Sequence, residues 1–172
     1  MTQNRTHTHT HAENIQKLSD LIKNIKIAML TTVSSSGELH SRPMQTQQVA
    51  FDGTLWFFTG RDTGKVIEMR NDRHVNVSYV GDNTYVSVSG RATLVDDRKK
   101  KESLWDPMFK AWFPDGLDDP NLTLMKVSVD SAEYWDSKAP NPVIKLVGFV
   151  EAIITGKSAG EVLGENERLD IR

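Results

Sequence analysis

The run Trp56-Phe57-Phe58-Thr59-Gly60-Arg61-Asp62-Thr63-Gly64-Lys65 closes an aromatic, β-rich segment and opens a helical one, with a lysine in the first helical turn. A cation there opposes the positive end of the helix dipole and is locally unfavourable by a few tenths of a kcal/mol. A bound anion reverses that sign, because helix N–H groups and an ammonium both favour phosphate. A solvated surface lysine is the competing reading. The phosphate loop of nucleotide hydrolases does not fit: Gly60 to Lys65 is one residue short of it, and Val66 stands where its hydroxyl belongs.

Asp52-Gly53 is a two-residue hairpin signal, because both central positions of that turn need positive φ. Counting outward from it sets Phe51 against Thr54, Thr46 against Thr59, and Arg42 level with Thr63. Arg42 and Thr59 then share a face beside the helix start that carries Lys65. Guanidinium, hydroxyl, ammonium and helix N–H groups would converge there, and charged hydrogen bonds of about 1.5–3 kcal/mol each could hold a phosphate. A surface ion pair is the alternative role for Arg42.

Aromatic residues at element ends are a second signal. Trp112-Phe113-Pro114 and Tyr134-Trp135-Asp136 border loops, where large rings often face a partner subunit or stack on a planar ligand, although core packing is also open to each. At least two of Trp56, Phe57 and Phe58 read as barrel core. His40 and His74 stand isolated, and neither a Ser–His–Asp spacing nor a paired histidine–carboxylate metal motif is visible. Asp96-Asp97 beside Arg98-Lys99-Lys100-Lys101 reads as a helix start with a solvated basic face. Any chemistry here would come from a cofactor.

The elements that position these groups follow from periodicity. Ile15, Leu18, Leu21, Ile22 and Ile25 make residues 13–24 an amphipathic helix. Strands are expected at 26–33 and 54–59, with 38–51 extended between them and Ser34 to Gly37 as a turn. A short helix over 63–70 would be capped by Asp62 or Thr63. Strands at 74–80 and 85–95 flank Gly81-Asp82-Asn83, and the second carries Val86, Val88, Gly90, Ala92 and Leu94 on one apolar face. Residues 97–112 are helical with a break at Asp106-Pro107, since proline lacks the N–H and restricts its predecessor. Strands at 122–129 and 132–136 and a helix over 141–154 complete the pattern. Tight hairpins without strand–helix–strand alternation argue for a mainly β, α+β architecture with an antiparallel sheet closed into a small barrel.

Size and composition set the frame. The 172 residues and 19.4 kDa suit one domain, 12–157, between a polar arm at 1–11 and a loosely held tail at 158–172. His7, His9 and His11 alternate in the arm and would ligate a metal only if it became a strand. A net charge of −2 supplies no field for nucleic acid or an anionic membrane surface. The absence of cysteine excludes disulfides, thiol nucleophiles and iron–sulfur clusters. No apolar run reaches a membrane span and the N-terminus lacks a signal-peptide core, so the cytoplasm is the expected location.

Taken in order, Met29-Leu30-Thr31-Thr32, Leu39-His40-Ser41-Arg42-Pro43-Met44, Leu55-Trp56-Phe57-Phe58-Thr59, Lys65, Tyr85-Val86-Ser87-Val88-Ser89-Gly90, Trp112-Phe113-Pro114 and Ala132-Glu133-Tyr134-Trp135-Asp136 resemble the FMN-binding split barrels. These are relatives of pyridoxamine 5′-phosphate oxidase, and the resemblance is to their general stress protein branch. It implies a homodimer of six-stranded split barrels with FMN in two clefts between subunits. By position, Arg42 and Lys65 would hold the FMN phosphate with help from Thr59. Ser41, Pro43 and Met44 would lie along the ribityl chain and ring, with Phe58 and Tyr85 nearby. Trp135 matches a tryptophan contributed by the partner chain, and Trp112 would be a lid over the ring. The oxidase's C-terminal Arg-x-His-Asp-Arg-like stretch has no match in 141–154, so pyridoxamine phosphate oxidation is not expected, and Lys145 is a weak candidate for its C-terminal arginine.

Two functions follow. One is a flavin oxidoreductase in which FMN takes electrons from NADH or NADPH. The other is a non-catalytic protein that holds FMN, or another flavin-like or haem ligand, as a stress-related carrier or sensor. Fold analogy does not choose between them.

Overall fold

The computed structural model describes residues 10–47, 49–81, 83–136 and 165–171. Helix α1 (His11–Ile22) starts at a capping box: Glu13 N–H donates to Thr10 Oγ1 (3.3 Å), and Thr10 N–H donates to Glu13 Oε2 (2.7 Å). Helix α1 thus includes His11, which the sequence reading places in the polar arm. His7 and His9 lie outside the described residues.

Strands β1 (Ile27–Val33), β2 (Leu39–Gln45), β3 (Thr54–Gly60), β4 (His74–Gly81), β5 (Thr84–Val95), β6 (Leu122–Asp136) and β7 (Glu165–Asp170) form one antiparallel sheet. Its order is β2-β1-β4-β5-β6-β3, with β7 also paired to β6. This is the split barrel expected from the sequence, with a seventh strand added. The described residues form no ladder between β2 and β3, the two ends of that order.

The hairpin expected between β2 and β3 is overturned. Strand β2 turns back through Ser34 to Gly37 onto β1, setting Arg42 opposite Leu30, while β3 pairs with β6, setting Thr59 opposite Thr123. Asp52-Gly53 is still a turn: Gly53 has φ 94°, and Asp52 Oδ1 accepts from the Thr54 amide at 3.1 Å. Its chemistry specifies a reversal but not the strand that pairs beyond it.

The expected strands at 122–129 and 132–136 are one strand, β6, with a bulge. Ser89 faces Ser131 and Gly90 faces Val129, so Asp130 is the extra residue. A Cβ at Gly90 would sit 2.5 Å from the Ser128 carbonyl oxygen, which explains glycine at this crossing. Before the bulge β6 pairs with β3; after it, the same edge pairs with β7. The C-terminal residues 165–171, expected in a loosely held tail, are therefore built into the fold. Leu169 and Ile171 are buried, Ile171 N–H donates to Asp130 O, and Asn14 Nδ2 of α1 donates to Asp170 O at 2.7 Å.

Two cores result, because β3 is covered on both faces. Leu55 and Phe57 join the barrel interior with Leu30, Val77, Val88, Met125, Val127 and Tyr134. Trp56 and Phe58 face a second cluster with Leu104, Phe109, Phe113, Leu122 and Leu124. That cluster is roofed by α3 (Arg98–Leu104) and a 3-10 turn at Pro107–Ala111, broken at Asp106-Pro107 as the sequence predicts. Asp97 and Asp106 cap the two pieces. The basic run is not wholly solvated: Lys101 is buried, its Nζ donating to Asp96 (2.5 Å) and to Leu122 O (2.9 Å). The expected helix over 141–154, with Lys145, lies outside the described residues.

Candidate functional site

Helix α2 (Gly64–Asn71) follows β3 and packs over β1. Its N-cap residue, Thr63, makes no side-chain cap; the hydroxyl donates instead to Gly60 O at 3.0 Å. The first turn contains no acidic residue and begins with Gly64-Lys65, so no carboxylate within that turn offsets the positive end of α2.

Lys65 is half-buried. Burial first, and then the Arg42 charge, hold its ammonium below the usual lysine range. Among the described residues it has no hydrogen-bond or ion-pair partner. An ammonium held down by burial and by a neighbouring guanidinium, and unpaired among the described residues, makes this a candidate anion site.

Arg42 reaches this point because the β1–β2 ladder turns its side chain to the same face as Leu30 and Thr32. Its Nη1 donates to Thr32 Oγ1 at 2.5 Å and its Nη2 to Glu68 Oε2 at 3.0 Å. The Thr32 hydroxyl donates to the same Oε2, while Glu68 Oε1 lies 2.6 Å from His40 Nδ1. These hydrogen bonds, that from Thr32 foremost, press the Glu68 carboxyl down to about 2. His40, isolated in sequence, thus belongs to a network, and Glu68 is the residue that sequence reading missed. Its spacing of three from Lys65, on one face of α2, is the signal that would have found it.

Arg42 and Lys65 are therefore brought together, but by β1 and α2 rather than by the expected hairpin. Thr59 lies buried at the end of β3, its hydroxyl directed to Gly60 O at 3.4 Å. Ser41 and Pro43 point to the opposite face of β2, where Ser41 Oγ lies 2.6 Å from Thr31 Oγ1. Met44 is packed in the barrel core. Phe58 is packed in the second core against Trp105 and Phe109.

Tyr85 and Trp135 face one another across β5 and β6. They stand on the outer face of the sheet, 53% and 41% exposed. Within one chain they are on the far side of the sheet from Arg42. Ladder register extends this outer face through Val80 and Met29, and it also carries the exposed Ile27 and Leu39. Trp112, at the end of the 3-10 turn, is 65% exposed. Among the described residues no cluster of His, Asp and Glu could hold a metal ion, and no helix is long and apolar enough to cross a membrane.

Comparison with known proteins places this arrangement. Residues 13–160 match the family described as Pyridoxamine 5'-phosphate oxidase like. Protein bli-3 of Neurospora crassa is 33% identical over 159 residues, covering 86% of this chain and 76% of that protein. General stress protein 26 of Bacillus subtilis is 30% identical over 134 residues, covering 74% of this chain and 92% of that one. Among solved structures, the general stress FMN/FAD binding protein of Xanthomonas citri is similar with a TM-score of 0.65 and 26% identity, covering 76% of this chain and 93% of that chain. With most of its length matched and the split barrel in place, the chain belongs to the pyridoxamine 5'-phosphate oxidase-like family.

Proposed function

We propose that this protein binds FMN as a homodimer and acts as a flavin-dependent oxidoreductase of the general stress protein type. The observation that carries the reading is Lys65: a half-buried ammonium beside Arg42, without a partner among the described residues. A phosphate is the group that this pair accommodates, since a dianion offsets both charges and accepts from guanidinium, ammonium and helix N–H groups together. The likeness to an FMN/FAD binding stress protein supports a flavin as the molecule carrying that phosphate. Bound flavin supplies the electron-transfer chemistry, and the protein supplies its grip and orientation.

The second copy supplies the aromatic side of the site. Tyr85, Trp135, Val80, Ile27, Met29 and Leu39 leave an apolar outer sheet face in contact with water. Such a face marks an interaction surface. A partner chain on it would bring Trp135 and Tyr85 toward the phosphate site of the other protomer, which one chain alone does not do.

Stopped-flow absorbance of the FMN-loaded protein tests the activity. Mixing with NADH or NADPH should bleach the flavin band near roughly 450 nm, a property of the cofactor itself. Flavin that stays oxidised with both donors would leave a binding role alone, as a carrier or sensor.

A further inference from the structure

We propose that Thr32 and Glu68 are a positioning pair that presents the Arg42 guanidinium to an incoming phosphate, so that recognition depends on two residues that need not touch the ligand. The inference rests on the phosphate reading of the Arg42–Lys65 site.

The three groups form a closed ring. Arg42 Nη1 donates to Thr32 Oγ1, the Thr32 hydroxyl donates to Glu68 Oε2, and Arg42 Nη2 donates to that same oxygen. The other carboxylate oxygen is occupied by His40 Nδ1 at 2.6 Å. Glu68 is therefore fixed at both oxygens, and its side chain is only 14% exposed. Thr32 is fully buried. A hydroxyl has one proton to give, and Thr32 spends it on Glu68, so it meets Arg42 only as an acceptor. Donation therefore runs from Arg42 to Glu68 by two routes, one direct and one through Thr32.

Its consequence is a guanidinium with part of its donor set committed and part kept free. Arg42 has five N–H groups in a rigid planar fork, and the ring uses two of them. The rest are held in place before any ligand arrives, so the ordering of a long side chain is not charged to binding. Glu68 is three residues from Lys65 on the same helix, yet it pairs with Arg42 and leaves the ammonium free. The site therefore combines one oriented fork with one uncommitted charge.

A counter-charge role for Glu68 alone makes a different forecast, and Thr32 separates the two. Thr32→Val removes the hydroxyl at nearly constant volume and changes no charge. FMN and riboflavin dissociation constants would be measured by fluorescence titration for the wild type, Thr32→Val, Thr32→Ser, Glu68→Gln and the Thr32→Val/Glu68→Gln double variant. Positioning predicts that Thr32→Val weakens FMN about five- to tenfold, with riboflavin changed less than about twofold. Thr32→Ser, which keeps the hydroxyl, should stay near wild type. The double variant should lose less than the product of the single losses, because both substitutions break one ring. If the valine variant does not fold, Thr32→Ala against Thr32→Ser makes the same comparison. Unchanged FMN affinity in Thr32→Val, equal loss for both flavins, or multiplicative losses in the double variant would overturn the positioning role while leaving the FMN reading intact. A wild type that does not distinguish FMN from riboflavin would overturn that reading, and this inference with it.

Discussion

Arg42 on β2 and Glu68 on α2 are joined by a 3.0 Å hydrogen bond between Nη2 and Oε2, the link through which the helix carrying Lys65 is fastened to the first hairpin. The carboxylate at its centre is held by Thr32 first, then by His40 and Arg42, and its pKa falls from 4.5 to about 2. A depressed folded-state pKa means stability that is present above pH 4.5 and lost as pH falls through about 2. The full shift corresponds to about 3 kcal/mol, and solvent screening brings the expected contribution to about 2 kcal/mol. Urea unfolding of wild type and Glu68→Gln, followed from neutral pH down through the window from 4.5 to about 2, should show a gap that closes on acidification. Parallel curves would mean that Glu68 adds nothing to folding.

Lys65→Ala should weaken FMN by about 1–3 kcal/mol, roughly five- to 150-fold, and leave riboflavin nearly unaffected. Isothermal titration with both flavins makes the comparison. Equal losses would show that Lys65 does not read the phosphate.

Val80 lies between Ile27 and Tyr85 on the outer sheet face and is 64% exposed. On the proposed dimer, Val80→Arg should yield a monomer and reduce FMN binding together with it, because that arrangement has the two chains share the cleft. Thermal unfolding should show an intact fold, because the residue adds little to either core. Sedimentation velocity checks the assembly. A variant that stays dimeric, or a wild type that is monomeric with FMN bound, would place the interface elsewhere or remove it.

Much of this fold was legible in the sequence, and the exceptions share a cause. The alternation in β5 and the Asp106-Pro107 break are local, set by side-chain period and by the missing proline N–H, and both stand in the structure. Asp52-Gly53 encodes a reversal correctly but not its partner, because the pairing of β3 with β6 is decided by distant residues. Residues 165–171 are dominated by charges, and only Leu169 and Ile171 betray an inward face; β6 and Asn14 supply the rest of the reason to order there. The hairpin register that brings Arg42 and Lys65 together in the sequence does not form, yet the two meet because α2 packs on β1. The spacing of Glu68 from Lys65 marks it as a neighbour on one face of α2, but its pairing with Arg42 depends on how α2 packs against β1 and β2.

The central claim is that a phosphorylated flavin is gripped at Arg42 and Lys65. The most direct measurement is to denature the purified protein and identify the released flavin by chromatography, with uptake by flavin-free protein measured alongside. The account predicts FMN, approaching about one per chain at saturation, with riboflavin taken up far more weakly for lack of charged hydrogen bonds to its terminus. A colourless protein that takes up no FMN, or one that loads riboflavin equally well, would contradict it.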